Sequence, residues 1–132
     1  MRVLLDTHIW IWSLLEPDRL SGRVRKLLTD PDTEMRLSPI STWELLLLIE
    51  KGRVEVEGEG HEWVSEALRR APLVEAPLTH EVALESRRIE LPHADPADRF
   101  LCATARVYDL SLVTADARLL GYDGGFATIT NE

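Results

Sequence analysis

Short extended runs and longer helical stretches alternate along the chain. RVLL (residues 2–5), MRLS (35–38), LVEA (73–76), LSLVTA (110–115) and FATIT (126–130) have the length and apolar content of strands. Helical stretches separate them: roughly 7–16, 23–30, Pro39 to Gly52, 61–71, 79–90 and 95–109, with a short helix opening at Asp116. Pro17, Gly22 and Pro31 punctuate the first third, and Gly52 is placed to end the helix that Pro39 starts. Strands alternating with helices at this spacing predict βαβ units and a parallel sheet covered on both faces, an α/β fold. No internal repeat, low-complexity tract or long linker interrupts the pattern, so a single domain over residues 1–132 is expected.

Composition narrows the function classes. Of 132 residues, 45% are hydrophobic and 29% charged, a globular balance. Against 23 Asp and Glu stand 15 Lys and Arg, a formal net charge of −8. That excludes a broad basic face for nucleic acid, so any RNA must be recognised locally, or the excess charge serves a basic partner. The lone cysteine, Cys102, rules out an internal disulfide and fits a reducing cytosol. The stretch MRVLLDTHIWIW does not read as a signal peptide, and no apolar run approaches the ~20 residues of a membrane span. A soluble, cytoplasmic protein is the expectation.

Candidate chemistry lies with four acids. Parallel sheets bind ligands at the carboxyl ends of their strands. Asp6 ends the first strand and Asp116 follows the LSLVTA strand, while Asp98 falls in the first turn of the helix before that strand. Glu44 lies early in the helix after MRLS, with a side chain long enough to reach inward. Like charges ~4 Å apart near a protein surface cost on the order of 4 kcal/mol, so such a cluster stays ionised only around a cation. Carboxylates without a Cys/His set favour Mg²⁺ or Mn²⁺ over zinc, and such an ion has the apparatus for phosphodiester hydrolysis. Each acid also has a plain structural reading. Asp98 and Asp116 can serve helix starts, Glu44 can be a solvated helix acid, and only Asp6, after a buried-type strand, resists one. Their conjunction favours a site.

LLDTH, STWE, DPADRFLCATA and LVTADARL, in that order, resemble the PIN-domain signature, and most closely that of VapC-type toxins. The likeness runs from Met1 to about Tyr122. It implies a three-layer α/β/α fold with a central parallel sheet of about five strands. It implies Mg²⁺ or Mn²⁺ dependence, endonucleolytic cleavage of RNA, and inhibition by a small antitoxin. The family's acidic quartet falls on Asp6, Glu44, Asp98 and Asp116, its site-lining polar residues on Thr7 and Thr114, and its arginine on Arg99. Where many relatives carry a basic residue one turn after the glutamate, this chain has Leu48.

Other residues divide between structure and chemistry. Arg99 is read as a salt-bridging or phosphate-contacting residue, and Asp95 as a helix cap. His8 and His93 flank site residues, whereas His61 and His80 are expected at the surface. Cys102 and the four tryptophans, Trp10, Trp12, Trp43 and Trp63, read mainly as core. The apolar density of Ile9, Trp10, Trp12, Leu14 and Leu15, and of Leu45 to Ile49, predicts an exposed patch, a homodimer through the N-terminal helices and a groove for an antitoxin segment. A PIN nuclease of RNA processing without a toxin role is an alternative. So is a phospho-Asp phosphatase or receiver domain. The latter requires an acid at position 8 and a late lysine, but position 8 is His and the only lysines are Lys26 and Lys51.

Overall fold

The computed structural model describes residues 1–90, 95–119 and 125–132. Its centre is β1 (Arg2–Leu5), where Val3, Leu4 and Leu5 are all buried. Only a strand covered on both faces hides consecutive apolar side chains in this way. β1 pairs in parallel with β2 (Glu34–Leu37) on one side and β4 (Ser111–Thr114) on the other. β3 (Leu73–Glu75) and β5 (Thr128–Thr130) complete a wholly parallel sheet in the order β3-β2-β1-β4-β5.

Alternation along the strands separates two cores. Val3, Leu5 and Val113 pack with Ile9, Trp10, Val24, Leu45 and Val64. These come from α1 (Thr7–Leu15), α2 (Gly22–Thr29), α3 (Pro39–Glu50) and α4 (Gly60–Arg70). Leu4 and Leu112 point the other way, to Val82, Leu101 and Cys102 of α5 (His80–Ser86) and α6 (Pro96–Tyr108). Each such large side chain contributes roughly 1.5–3 kcal/mol on burial. The result is the expected three-layer α/β/α arrangement.

Caps place the helix starts. Ser21 accepts from the Val24 amide at 3.1 Å, Ser38 from Ile40 at 3.1 Å and Thr79 from Val82 at 3.2 Å. Several boundaries differ from the sequence expectation. The helix expected over 79–90 stops at Ser86, its last turn tightened by Arg87 and Arg88 amides bonding to Leu84 and Glu85, and the Arg99 guanidinium meets the carbonyls of Ser86 and Ile89 just beyond at 3.3 and 2.7 Å. Of the helix expected from Asp116, the described residues show the 3₁₀ segment Ala117–Leu119. Of FATIT only Thr128–Thr130 is strand.

The anticipated apolar patch is also redrawn. Ile9, Trp10 and Leu45 are buried, and Trp12, Leu14, Leu46, Leu48 and Ile49 pack partly against the same core. Leu15 is the member of those two sets that counts as exposed. Trp43, expected in the core, is 55% exposed, since α3 is apolar on every side and cannot bury all of itself. No helix among the described residues is long and apolar enough to cross a membrane.

Candidate active site

From β1 the chain runs out to β2 and β3 and then returns to the other side of β1. The reversal between β1 and β4 opens a crevice at the carboxyl ends of these two strands. Asp6 is the first residue beyond β1 and the N-cap of α1, and its N–H donates to the Val113 carbonyl at 2.9 Å. That bond ties it to the neighbouring strand end. Asp6 is only 6% exposed, so charge there is costly. Thr114, the last residue of β4, donates its hydroxyl to Asp6 Oδ2 at 2.6 Å and accepts from the Asp116 amide at 3.0 Å. A single hydroxyl thus joins the ends of the two central strands.

α6 delivers the third acid. Asp95 caps the helix, accepting from the amides of Ala97 at 3.0 Å and Asp98 at 3.4 Å, with Pro96 at the first helical position. Asp98 therefore starts the first turn at a fixed orientation and is buried. Glu44 enters from α3, one face of which is anchored when Thr7 donates to the Ser41 hydroxyl at 2.8 Å, both residues being buried. Asp6, Glu44, Asp98 and Asp116 line one pocket of about 230 Å³, together with His8, Trp12, Asp95, Ala115 and Arg118.

Burial and neighbouring like charge set the electrostatics of the pocket. Burial pushes the Asp6 carboxyl above its ordinary value, the Thr114 hydrogen bond opposes this, and the nearby Asp98 charge adds to it. Burial likewise raises Glu44, with the Thr7 hydroxyl opposing and Asp6 reinforcing. Beneath the pocket, burial and then the charges of Asp98, Asp6 and Asp116 push the Cys102 thiol up to about 12. This all-oxygen donor set suits a hard divalent ion. The acids ring a shared pocket without closing on one point. Among the described residues, no three acidic, His or Cys side chains form a group ready to hold an ion.

Other candidates are distributed more widely. Arg99 is engaged with backbone carbonyls beside α5, not with the acids. Asp95 is a cap. His8 is exposed at the pocket wall, its ring 6.0 Å from that of Trp12, whereas His61 pairs with Glu59 at the surface. His93 lies outside the described residues. Sequence reasoning missed two arginines. Arg118 pairs with Asp116 at 2.8 Å and reaches Asp98 at 3.5 Å, and the cue available for it was an arginine two residues after a strand-end acid. Arg19 stacks 4.2 Å above the Trp12 ring, which no local sequence pattern signals. Beyond His8 and Trp12 a groove of about 550 Å³ continues past Ile11, Leu15, Leu48, Arg53 and Val54.

Comparison with known proteins bears on the family and the fold. Residues 3–125 match the model of the PIN domain. The ribonuclease VapC22 of Mycobacterium tuberculosis (strain ATCC 25618 / H37Rv) is 35% identical over 120 residues, covering 89% of this chain and 88% of the relative. The crystal structure of VapBC2 from Rickettsia felis bound to a promoter DNA fragment superposes with a TM-score of 0.73 over 100% of both chains, at 15% identity. DNA-bound VapBC from Salmonella typhimurium gives 0.67 at 20% identity, over 98% of each chain. The structural likenesses speak to the fold, and the family-model match with the 35% relative decides membership: this chain belongs to the PIN-domain family.

Proposed function

We propose that this chain is a divalent-metal-dependent endoribonuclease of the VapC kind, the toxin of a toxin–antitoxin pair. The observation that carries the reading is the convergence of Asp6, Glu44, Asp98 and Asp116 from four elements onto one pocket at the sheet's switch point. The 35% identity to a ribonuclease supports it. Asp6, Asp98 and Asp116 would hold Mg²⁺ or Mn²⁺, which supplies charge for the phosphate and a water of lowered pKa. Thr114 orients the Asp6 carboxylate toward the pocket. Glu44, its proton affinity raised by burial and by Asp6, is suited to accept a proton from the attacking water. No residue forms a covalent intermediate. A phospho-accepting Asp6 would need a lysine nearby, and neither Lys26 on α2 nor Lys51 at the end of α3 lines the pocket.

Several of the structural relatives are toxin–antitoxin complexes, which supports an antitoxin partner here. The groove running from the site past Trp12, Leu15 and Leu48 suits a segment that lays apolar side chains along it and a cation among the acids. Arg99 then acts by fixing α5 against α6. A homodimer and a cytoplasmic location complete the reading. Sedimentation at micromolar concentration tests the dimer, and a clean 15.0 kDa species overturns it.

The central test is Asp98→Asn. Asn can still occupy the helix N-terminus but brings no charge. Loss of RNA cleavage with an unchanged melting temperature is expected. A folded variant that cuts at the wild-type rate overturns the assignment.

A further inference from the structure

The acids of the pocket already have a cation of their own. Arg118 leaves the turn two residues beyond Asp116 and folds back on it. Its Nε donates to Asp116 Oδ1 at 3.0 Å and its Nη2 to Oδ2 at 2.8 Å, while its backbone N–H also reaches Oδ1 at 2.9 Å. The same Nη2 stands 3.5 Å from Oδ2 of Asp98, on a different element. One guanidinium therefore links two of the carboxylates that the metal reading assigns to the ion. Such a two-pronged pairing occupies both oxygens of Asp116 at once.

Burial decides which party can move. The side chains of Asp98 and Asp116 are 11% and 20% exposed, and that of Arg118 is 55% exposed. The acids are held by a helix start and a strand-end turn, and cannot escape into water. The arginine can, because its own side chain is largely in water and an ion that binds the same oxygens offsets the pairing given up. A divalent ion needs the same oxygens and carries twice the charge, so the two cations cannot share them without mutual repulsion.

Resting on the metal-nuclease reading above, we propose that Arg118 is an exchangeable internal counter-ion: it neutralises Asp98 and Asp116 in the metal-free protein and yields them when the ion enters. Metal affinity is then set by competition with the chain's own arginine.

Mn²⁺ binding to the purified full chain, followed by electron paramagnetic resonance, tests this without reference to cleavage. Arg118→Gln should bind Mn²⁺ roughly fivefold more tightly than wild type at low salt, and Arg118→Lys should stay near wild type. The gap should narrow as salt screens the pairing. Equal or weaker binding by Arg118→Gln overturns the proposal, because Arg118 would then be a bystander or a support for Asp116. If wild type binds Mn²⁺ and Asp98→Asn does not, but Arg118→Gln is unchanged, the counter-ion falls and the metal site stands. If neither wild type nor Arg118→Gln binds, both fall. A second measurement follows the Arg118 Nε–H signal by nuclear magnetic resonance. Saturating Mg²⁺ should move it to a solvent-like position, and a signal that does not move overturns the exchange.

Discussion

The two walls of the acidic pocket are built in opposite ways. The inner wall, Asp6 with Thr114, Thr7 and Ser41, is buried, and its hydrogen bonds join β1, β4, α1 and α3. The outer wall, Asp116 with Arg118, hangs on a single turn, and its partner is largely in water. Charge on the inner wall is imposed by the fold against desolvation. Charge on the outer wall is met locally by a residue that can leave. The difference teaches how the fold handles acids in one pocket: the deep carboxylate is fixed by hydrogen bonds between sheet ends, and the carboxylate at the rim is met by a solvated arginine.

The largest effect expected from breaking the inner wall is chemical. Asp6→Asn removes a charge at the deepest point of the pocket. Cleavage should fall by at least about 10³-fold, the worth of several kcal/mol of charge stabilisation. A quantitative RNA cleavage assay checks it, and activity within tenfold of wild type would count against the inner wall as the seat of catalysis.

Thr114→Val should come next. It keeps the shape of the strand end but removes the donor to Asp6 and the acceptor for the Asp116 amide. A supporting hydrogen bond of this kind is worth about 10–100-fold in activity or metal affinity. Leaving a buried acceptor short of a partner should cost about 1–3 kcal/mol of stability in denaturant titration. The corresponding outer-wall change, Arg118→Gln, should leave stability almost unaltered. Equal losses from the two variants would erase the contrast between the walls.

The pH dependence of stability sharpens it further. Asp6 and Glu44 have folded-state values raised above their unfolded ones, chiefly by burial. Their ionisation therefore opposes folding. The metal-free protein should gain stability as the pH falls from neutral through these raised values toward about 4, the unfolded carboxylate range. That gain is lost again as the pH rises. Mg²⁺ or Mn²⁺ should raise the melting temperature at neutral pH and flatten the profile, since an ion binding only the native state stabilises it. A metal-free melting temperature that does not rise at all as the pH falls from neutral toward about 4 would mean that the buried acids are already neutralised by other means.

Much of this was readable from the chain, and the unread part has physical causes. Asp6 was legible because an acid ending an apolar strand has few structural uses, whereas Asp116, which can also serve a helix start, stood out only in conjunction with the other acids. The cap at Asp95 was legible because Asp-Pro-x-Asp starts helices for local reasons. Strand order was not written locally: nothing in LSLVTA says that it lies beside β1, yet that pairing creates the crevice. Trp43 was misjudged because STWELLLLIE is apolar on every face, and only the sheet decides which face wins. Arg118 was passed over because its pairing depends on the turn that folds it back on Asp116. The contact that Arg99 makes with the Ser86 and Ile89 carbonyls was hidden for a similar reason, since it joins two helices.

The smallest effect belongs to a residue under the inner wall. Cys102 is buried on α6, and burial together with the charges of Asp98, Asp6 and Asp116 pushes its thiol up to about 12. At pH 8 the thiolate fraction is then about 10⁻⁴, and the thiolate is the reactive form. The native protein should resist iodoacetamide at pH 8 over hours, and react at once when unfolded. Cys102→Ala removes only a small apolar side chain, so cleavage should change by less than about twofold, with a modest stability loss from the void. Rapid alkylation of the native chain would show that the core beside α6, one turn from Asp98, opens to solvent. The inner wall would then be no more rigid than the rim, and the contrast between the two walls would fail at the point where it is most exposed to test.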